Sequence, residues 1–502
     1  MLSIYLKSFT KMSTFSPNAD TNIDIGEGAA SDIQTTTVAL TGVEENVTDA
    51  TEIKLGAEAS INTETKASAV LTGEALAGTA EKPAGISLAS TDTTTAQVLV
   101  VNTATVKNTV ISTTAPTEPG QQVAKANIAL TSDSVEAVSV KTSSTEEKSV
   151  VNLAADSADG VRVELTEAGG DVNVESKSVS NFELEADGRE FAEITFGGEF
   201  ETLAGGQMAV KGAGGAVAFE EGAIADSTFL FDTVDSSAVS TLDIGSNVNE
   251  VAGTEVQIPQ GAAEIEVGAA VVTDMSIAST GVAPVSAAII ANEIAGLVMS
   301  VDRAEADLNL SSPATITDTT LVSSTGKGFT ATLSKNKNTS ITSTKGATEA
   351  TFTGKTVNPT ITNKGKGETD VDFEAKTVGA SLSTKKGAIT ASFEGKTEDM
   401  VINAKKTKKP VDLDIEKTLD GGDLTLGKAA DEIVLGGKVK DSVIDLGKDR
   451  KSDSITIDKP KKVEIELTRF RQEDVLILKG QEFTFEEIID GLIEQFPGIT
   501  LA

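Results

Sequence analysis

The sequence predicts an all-β fold: a β-solenoid or fibre-like repeat array with about 21 residues per unit, ending in a small C-terminal cap with one helix. Three observations predict it. First, a phrase returns at nearly fixed spacing: Phe352-Thr-Gly-Lys-Thr, Phe373-Glu-Ala-Lys-Thr and Phe393-Glu-Gly-Lys-Thr. Its lysines are Lys355, Lys376, Lys396, Lys417 and Lys438, and the apolar residues that alternate with them are Ile341, Ile361, Leu382, Ile402, Leu424 and Ile444. Leu321 and Ile465 extend the apolar series by one step at each end. Second, short apolar-x-apolar phrases bounded by Gly, Asp, Asn and Ser recur along the chain, the pattern of half-buried strands. Third, aromatic residues are only 4% of the 502 and Trp is absent, so the chain suits a core one or two side chains thick.

Residues 1–30 are polar and read as a flexible N-terminal arm. Residues 31–300 form a degenerate, acidic β-repeat region. Ile53-Lys-Leu55, Ile86-Ser-Leu88 and Val98–Val101 open it. A tighter series follows in Ile128/Leu130, Val138/Val140, Val151/Leu153, Val161/Val163, Val172/Val174, Phe182/Leu184 and Ile194/Phe196. Phe229-Leu-Phe231, Val256-Gln-Ile258 and Ile265-Glu-Val267 continue as strands, whereas Val285–Met299 fits one buried helix or two apolar strands. Residues 301–467 are the regular array, each unit holding two strands of about five residues and two turns. Alternation places Ala350 with Phe352, and Val371 with Phe373, on one face, and successive phenylalanines stack. Residues 468–502 are the cap. There Ile488, Ile489, Leu492, Ile493 and Phe496 recur at helical spacing behind Thr484 as N-cap, with Glu487 three residues on.

Composition narrows the chemistry. The chain has no His and no Cys, which excludes Ser-His-Asp and Cys-His catalysis, thiolate zinc sites and disulfides. No phosphate-binding Gly-x-x-x-x-Gly-Lys-Ser/Thr loop is present. An enzyme is not expected. The net charge of −34 is uneven: residues 1–300 carry 13 basic and 43 acidic side chains, and residues 301–502 carry 29 and 33. Such a balance argues against a nucleic-acid partner. The lysine cluster Lys405, Lys406, Lys408 and Lys409 reads as an exposed turn. No secretory leader is expected. Val282–Val301 contains Pro284, Asn292 and Glu293, so it reads as buried structure and membrane insertion is not expected.

Asp420-Gly-Gly-Asp423, Asp431-Glu-Ile-Val-Leu435, Asp441-Ser-Val-Ile-Asp-Leu446 and Asp453-Ser-Ile-Thr-Ile457 are similar to the repeats-in-toxin β-roll family, over about 40 residues. The Asp-x-apolar-x part matches, and the Gly-Gly-x-Gly turn has no consecutive match. The resemblance implies calcium as the one metal, with Asp420, Asp423 and Asp431 as its candidate ligands. No other cofactor is expected. The whole-chain style also resembles repeat-rich virion proteins of marine tailed phages, notably those of cyanobacteria. It combines Thr, Ser, Ala, Gly and Val dominance, no Cys, His or Trp, short β-phrases and a distinct cap. That resemblance implies a multi-copy structural protein of the particle, a fibre, spike, horn or capsid decoration. Its expected partners are other virion proteins, further copies of itself in a trimer, and a host surface. The alternative is a bacterial cell-surface or signal-less secreted β-roll-like protein that binds calcium.

Overall fold

Where apolar and polar residues alternate, the chain lies extended and each coil pairs in parallel with the coils before and after it. The computed structural model describes residues 2–5, 21–25, 36–39, 52–53, 61–63, 68–77, 80–81, 83–89 and 97–502, except 114–122, 124, 146, 235–237, 325–327, 449–450 and 489–494. The fold is nearly all β, a β-solenoid, with one short helix near the C-terminus. Two compact units divide it, Met1–Ala269 and Ala270–Ala502.

In the first unit, all fourteen apolar residues of the series Ile128/Leu130 to Ile194/Phe196 are at most 3% exposed. They align in columns: Leu99, Ile128, Val151, Val172 and Ile194 are consecutive neighbours across parallel ladders. Ile128/Leu130 and Val138/Val140 share one strand, Ala126–Thr142, which turns at Ala137 and keeps the same register with Gln97–Thr113 on both sides of the turn. Phe196 and Phe219 stack at 4.5 Å, with Phe182, Phe200 and Phe229 edge-on or tilted around them. Within the expected arm, strands Leu2–Tyr5 and Thr21–Ile25 pair in parallel, so the arm is not wholly irregular. Ile4, Ile23 and Ile25 carry the period-two pattern that strand pairing needs. The rest of the arm, and Leu55, lie outside the described residues.

In the second unit each coil up to Phe393 has three strands rather than two, whereas from Thr397 the first two run together, as Thr397–Asn403, Leu419–Thr425 and Val439–Asp445, and the coils have the expected two. One coil consists of Thr356–Val357, Thr360–Asn363 and Thr369–Phe373. The additional strand is two or three residues long, too short to show alternation. It is set off from the next strand by a residue with positive φ. That corner is occupied by Asn338, Asn358, Gly379, Asp399, Gly421 and Asp441 in successive coils, with φ between 47° and 78°. Only Gly, and less readily Asn or Asp, takes this conformation without a steric penalty. Neighbouring corners lean on each other: Asn358 donates from Nδ2 to Asn338 Oδ1, and Asn338 to Asp318 Oδ1. Segment Val285–Met299 resolves into strands, Val285–Ile290, Glu293–Ala295 and the start of Val298–Val301, with no helix.

Two interior columns hold this unit. One runs Ile289, Leu310, Leu333, Phe352, Phe373, Phe393, Ile415, Leu435, Ile457 and Leu478. The other runs Leu321, Ile341, Ile361, Leu382, Ile402, Leu424 and Ile444, and ends on Leu467 and Leu501. Its C-terminal continuation is therefore Leu467 and not Ile465. A bulge between Val439 and Ser442 shifts the register, so Ile465 faces Ser442. The lysine series also slips once. Thr397 donates its N–H to Thr418 O, as Thr377 does to Lys396 O, so Thr418 and not Lys417 holds the column position.

The cap stops the stack by reversing it. Strand Gln481–Phe483 pairs antiparallel with Val475–Leu478 through the two-residue turn Lys479-Gly480, both with positive φ, the hairpin type that matches strand twist. Helix Phe485–Glu487 follows, and the Glu487 carboxylate accepts the N–H and the hydroxyl of Thr484. These bonds hold the Glu487 carboxyl below the usual range, the backbone bond contributing most. Ile489, Leu492 and Ile493 fall outside the described residues.

The corner column yields a direct prediction. A Cβ on Gly379 would sit 2.5 Å from Asn358 Oδ1 at φ +66°. Gly379→Ala is expected to lose about 1–2 kcal/mol in urea unfolding. Gly379→Asn, which tolerates positive φ better and extends the amide ladder, should lose measurably less; equal losses would show that the added Cβ, common to both, sets the cost.

Candidate functional site

The aspartates singled out by the sequence occupy three different positions. Asp420 lies on the short-strand ladder, opposite Glu398 and Lys440. Asp423 lies on the next ladder, exposed and between Val401 and Val443. Asp431 precedes the third strand and is 2% exposed. The structure does not bring them together, and among the described residues no three His, Cys, Asp or Glu side chains converge as a metal site.

Asp420 belongs to a row of ion pairs. Lys376 and Lys396 meet Glu398 at 2.9 and 2.5 Å, and Lys396 reaches Asp420 at 3.5 Å. Lys440 then meets Asp420 at 4.0 Å and Asp441 at 3.0 Å. The hydrogen bonds from Lys396 and then Lys376 hold the Glu398 carboxyl below its ordinary range. Such exposed pairs contribute little singly, and the row acts by matching one coil to the next.

Asp431 has a different task. Its Oδ1 accepts the Val411 N–H at 2.8 Å and its Oδ2 accepts the Gly427 N–H at 3.3 Å. Asp453 Oδ1 accepts the Asp431 N–H at 2.9 Å, and Asp474 Oδ1 accepts the Asp453 N–H at 3.0 Å. Asp474 Oδ2 takes the Arg471 N–H at 2.8 Å. All three carboxylates are at most 3% exposed. They form a buried ladder that satisfies backbone donors at the start of successive strands, and this chemistry does not fit a calcium cage. Asp474-Val-Leu-Ile-Leu478 carries the same Asp-x-apolar-x-apolar signature as its two predecessors and completes the set.

The surface shows a second pattern. On the third-strand face, outward Glu349, Asp370, Thr390, Asp412 and Glu432 are successive ladder neighbours, and Asp372, Ser392 and Asp414 form a parallel row. Desolvation, then Asp372, Glu349 and Glu368, push the Asp370 carboxyl above its ordinary range. Desolvation, Glu432 and Glu368 do the same for Asp412. A raised folded-state value means the folded chain binds the proton first. The penalty is therefore full near neutral pH and is relieved as pH falls through the raised value towards about 3.9. Asp370→Asn is expected to gain stability at pH 7 and to lose that advantage in acid, read as a difference between paired urea curves. A pH-independent difference would refute the assignment.

Beside this face, the loops between second and third strands carry Lys364, Lys366, Lys385, Lys386, Lys405, Lys406, Lys408 and Lys409, all exposed. In the first unit, a shallow depression of about 260 Å³ lies among Arg162, Glu183, Glu185, Gln207, Ala209 and Lys211. Lys211 and Arg162 are already engaged there with Glu185 and Glu183, at 2.6 and 3.6 Å. Among the described residues no helix is long and apolar enough to cross a membrane. No protein-family model, no curated protein and no solved structure matches the chain.

Proposed function

We propose that this chain is a non-enzymatic structural protein of a phage particle: a surface fibre, spike, horn or capsid decoration, present in several copies and able to contact a host surface. The observation that carries the reading is the architecture of the second unit. Its apolar columns run coil upon coil from Ile289 to Leu478 without a break, and a hairpin then reverses the strand direction. Chain length is spent on a stiff repeating support in which every coil buries the next. Asp420 and Asp431 serve the same end, the first through ion pairs between coils and the second by buried backbone capping. In this reading the partners are other virion proteins and two further copies in a trimer, and the protein resides in the virion.

Mass spectrometry and immunogold labelling of purified particles test this. The protein is expected in stoichiometric amounts on the particle and absent from the medium of uninfected cells. Recovery from uninfected medium, with a calcium-dependent gain of strand signal in circular dichroism, would instead support a secreted β-roll-like protein.

A further inference from the structure

We propose that the lysine ridge between the second and third strands of residues 364–409 is a self-association surface that docks on the acidic third-strand face of a second copy of this chain. The inference rests on the multi-copy reading above and names the surface responsible. Lys405, Lys406, Lys408 and Lys409 fall within five residues, and Lys385 and Lys386 stand one coil earlier. All are exposed, and among the described residues none of the recorded ion pairs includes them. The chain is acidic by 34 charges overall, so loops that carry eight lysines and one carboxylate, Glu368, are a departure from its own composition.

The acidic face shows the complementary deficit. Asp370 faces Asp372, Glu349 and Glu368, Asp412 faces Glu432 and Glu368, and among the described residues neither takes part in an ion pair. Directly opposed like charges on neighbouring strands weaken a sheet. An opposing row of lysines at the same rise, about 4.8 Å per coil, would remove that cost along its whole length.

The pattern also selects the partner. A linear polyanion laid on the ridge would run beside Asp370, Asp372, Asp412 and Asp414 and be repelled by them. The ridge offers no aromatic ring for stacking bases and no arginine fork for phosphates. It offers no apolar anchor of the kind that fixes an unrelated protein. The matching surface must present both signs in adjacent rows at strand spacing, and this chain presents them. Residues 301–502 carry 29 basic and 33 acidic side chains, so two copies of this region meet with little net repulsion.

Sedimentation velocity on the full chain tests the proposal, at about 50 mM and about 500 mM salt. Wild type is expected to associate at low salt and dissociate at high salt. A variant with Lys385, Lys386, Lys405 and Lys406 changed to Glu should bind itself at least about tenfold more weakly. A variant with Asp370, Asp372, Asp412 and Asp414 changed to Lys should do the same, and mixing the two should restore a complex. Unchanged strand signal in circular dichroism shows that each variant is folded. A milder Lys→Ser set replaces any variant that is not. An oligomer that survives both charge reversals and high salt would overturn the ridge while leaving the multi-copy reading intact. A wild-type monomer at both salts would overturn both. Monomeric wild type that is held by immobilised heparin or DNA, and released by the Lys→Glu set, would assign the ridge to a polyanion instead.

Discussion

Phe373→Ala is expected to cost about 3–5 kcal/mol, as buried phenylalanine truncations do. Phe373 is fully buried, and its ring lies 4.7 Å from both Phe352 and Phe393, nearly parallel to each. The alanine would remove a ring from the middle of the column and leave a void bounded by two rings that backbone pairing holds in place. Strand Thr369–Phe373 is hydrogen-bonded to a coil on each side, so the neighbours cannot close the gap without breaking register. Because each coil contacts mainly its neighbours, the damage should be local before it is global. Hydrogen exchange should quicken first in strands 347–352, 369–373 and 389–393. Phe373→Leu, which keeps most of the volume, should cost only about 1–1.5 kcal/mol. Equal losses for the two variants, or exchange that quickens uniformly along the unit, would show that the ring column does not hold these coils together.

That column was legible from the sequence because Phe352, Phe373 and Phe393 recur at the period of the coil and each is paired with an apolar residue two positions earlier. The same two-residue alternation found the strands from Ile128 to Phe196 except the three-residue Ser178–Ser180, which holds a single inward apolar residue, Val179. It could not find Thr356–Val357 and its counterparts, since two residues contain no alternation. The signal for that strand lay instead in the corner beside it, where Asn, Asp or Gly recurs once per coil because the backbone demands positive φ. Counting by period alone also misplaced single residues. Lys417 satisfies the 21-residue step better than Thr418, but hydrogen bonds count residues along a strand and not along a motif. Ile465 fails for a related reason, because a bulge inserts length that periodicity cannot see. The aspartates show the deeper limit. Asp-x-apolar-x describes both Asp431, buried ahead of a strand, and Asp441, exposed at a positive-φ corner. The spacing alone does not separate a ligand set from two unrelated backbone requirements that share a residue type.

Asp453→Ala is expected to cost about 2–3 kcal/mol and to loosen the C-terminal coils selectively. The Asp453 side chain accepts the Asp431 N–H, while its own N–H is held by Asp474. Alanine at 453 would leave the Asp431 N–H buried with its acceptor gone. It would also interrupt a series in which each carboxylate fixes the start of the preceding strand, Val411–Ile415, Glu432–Leu435 and Ser454–Ile457 in turn. Charge-assisted bonds of this kind are stronger than neutral ones. Asp453→Asn should therefore fall between wild type and alanine: its amide oxygen can still accept the Asp431 N–H, without the charge. Hydrogen exchange at the Asp431 amide is the decisive reading, because it should rise sharply in the alanine variant and only modestly in the asparagine variant. If calcium chelation loosened wild type as much as Asp453→Ala does, the aspartates would be serving a metal after all. If chelation leaves the Asp431 amide protected while the alanine exposes it, the carboxylates stabilise the coils directly, by accepting backbone N–H groups at the starts of strands.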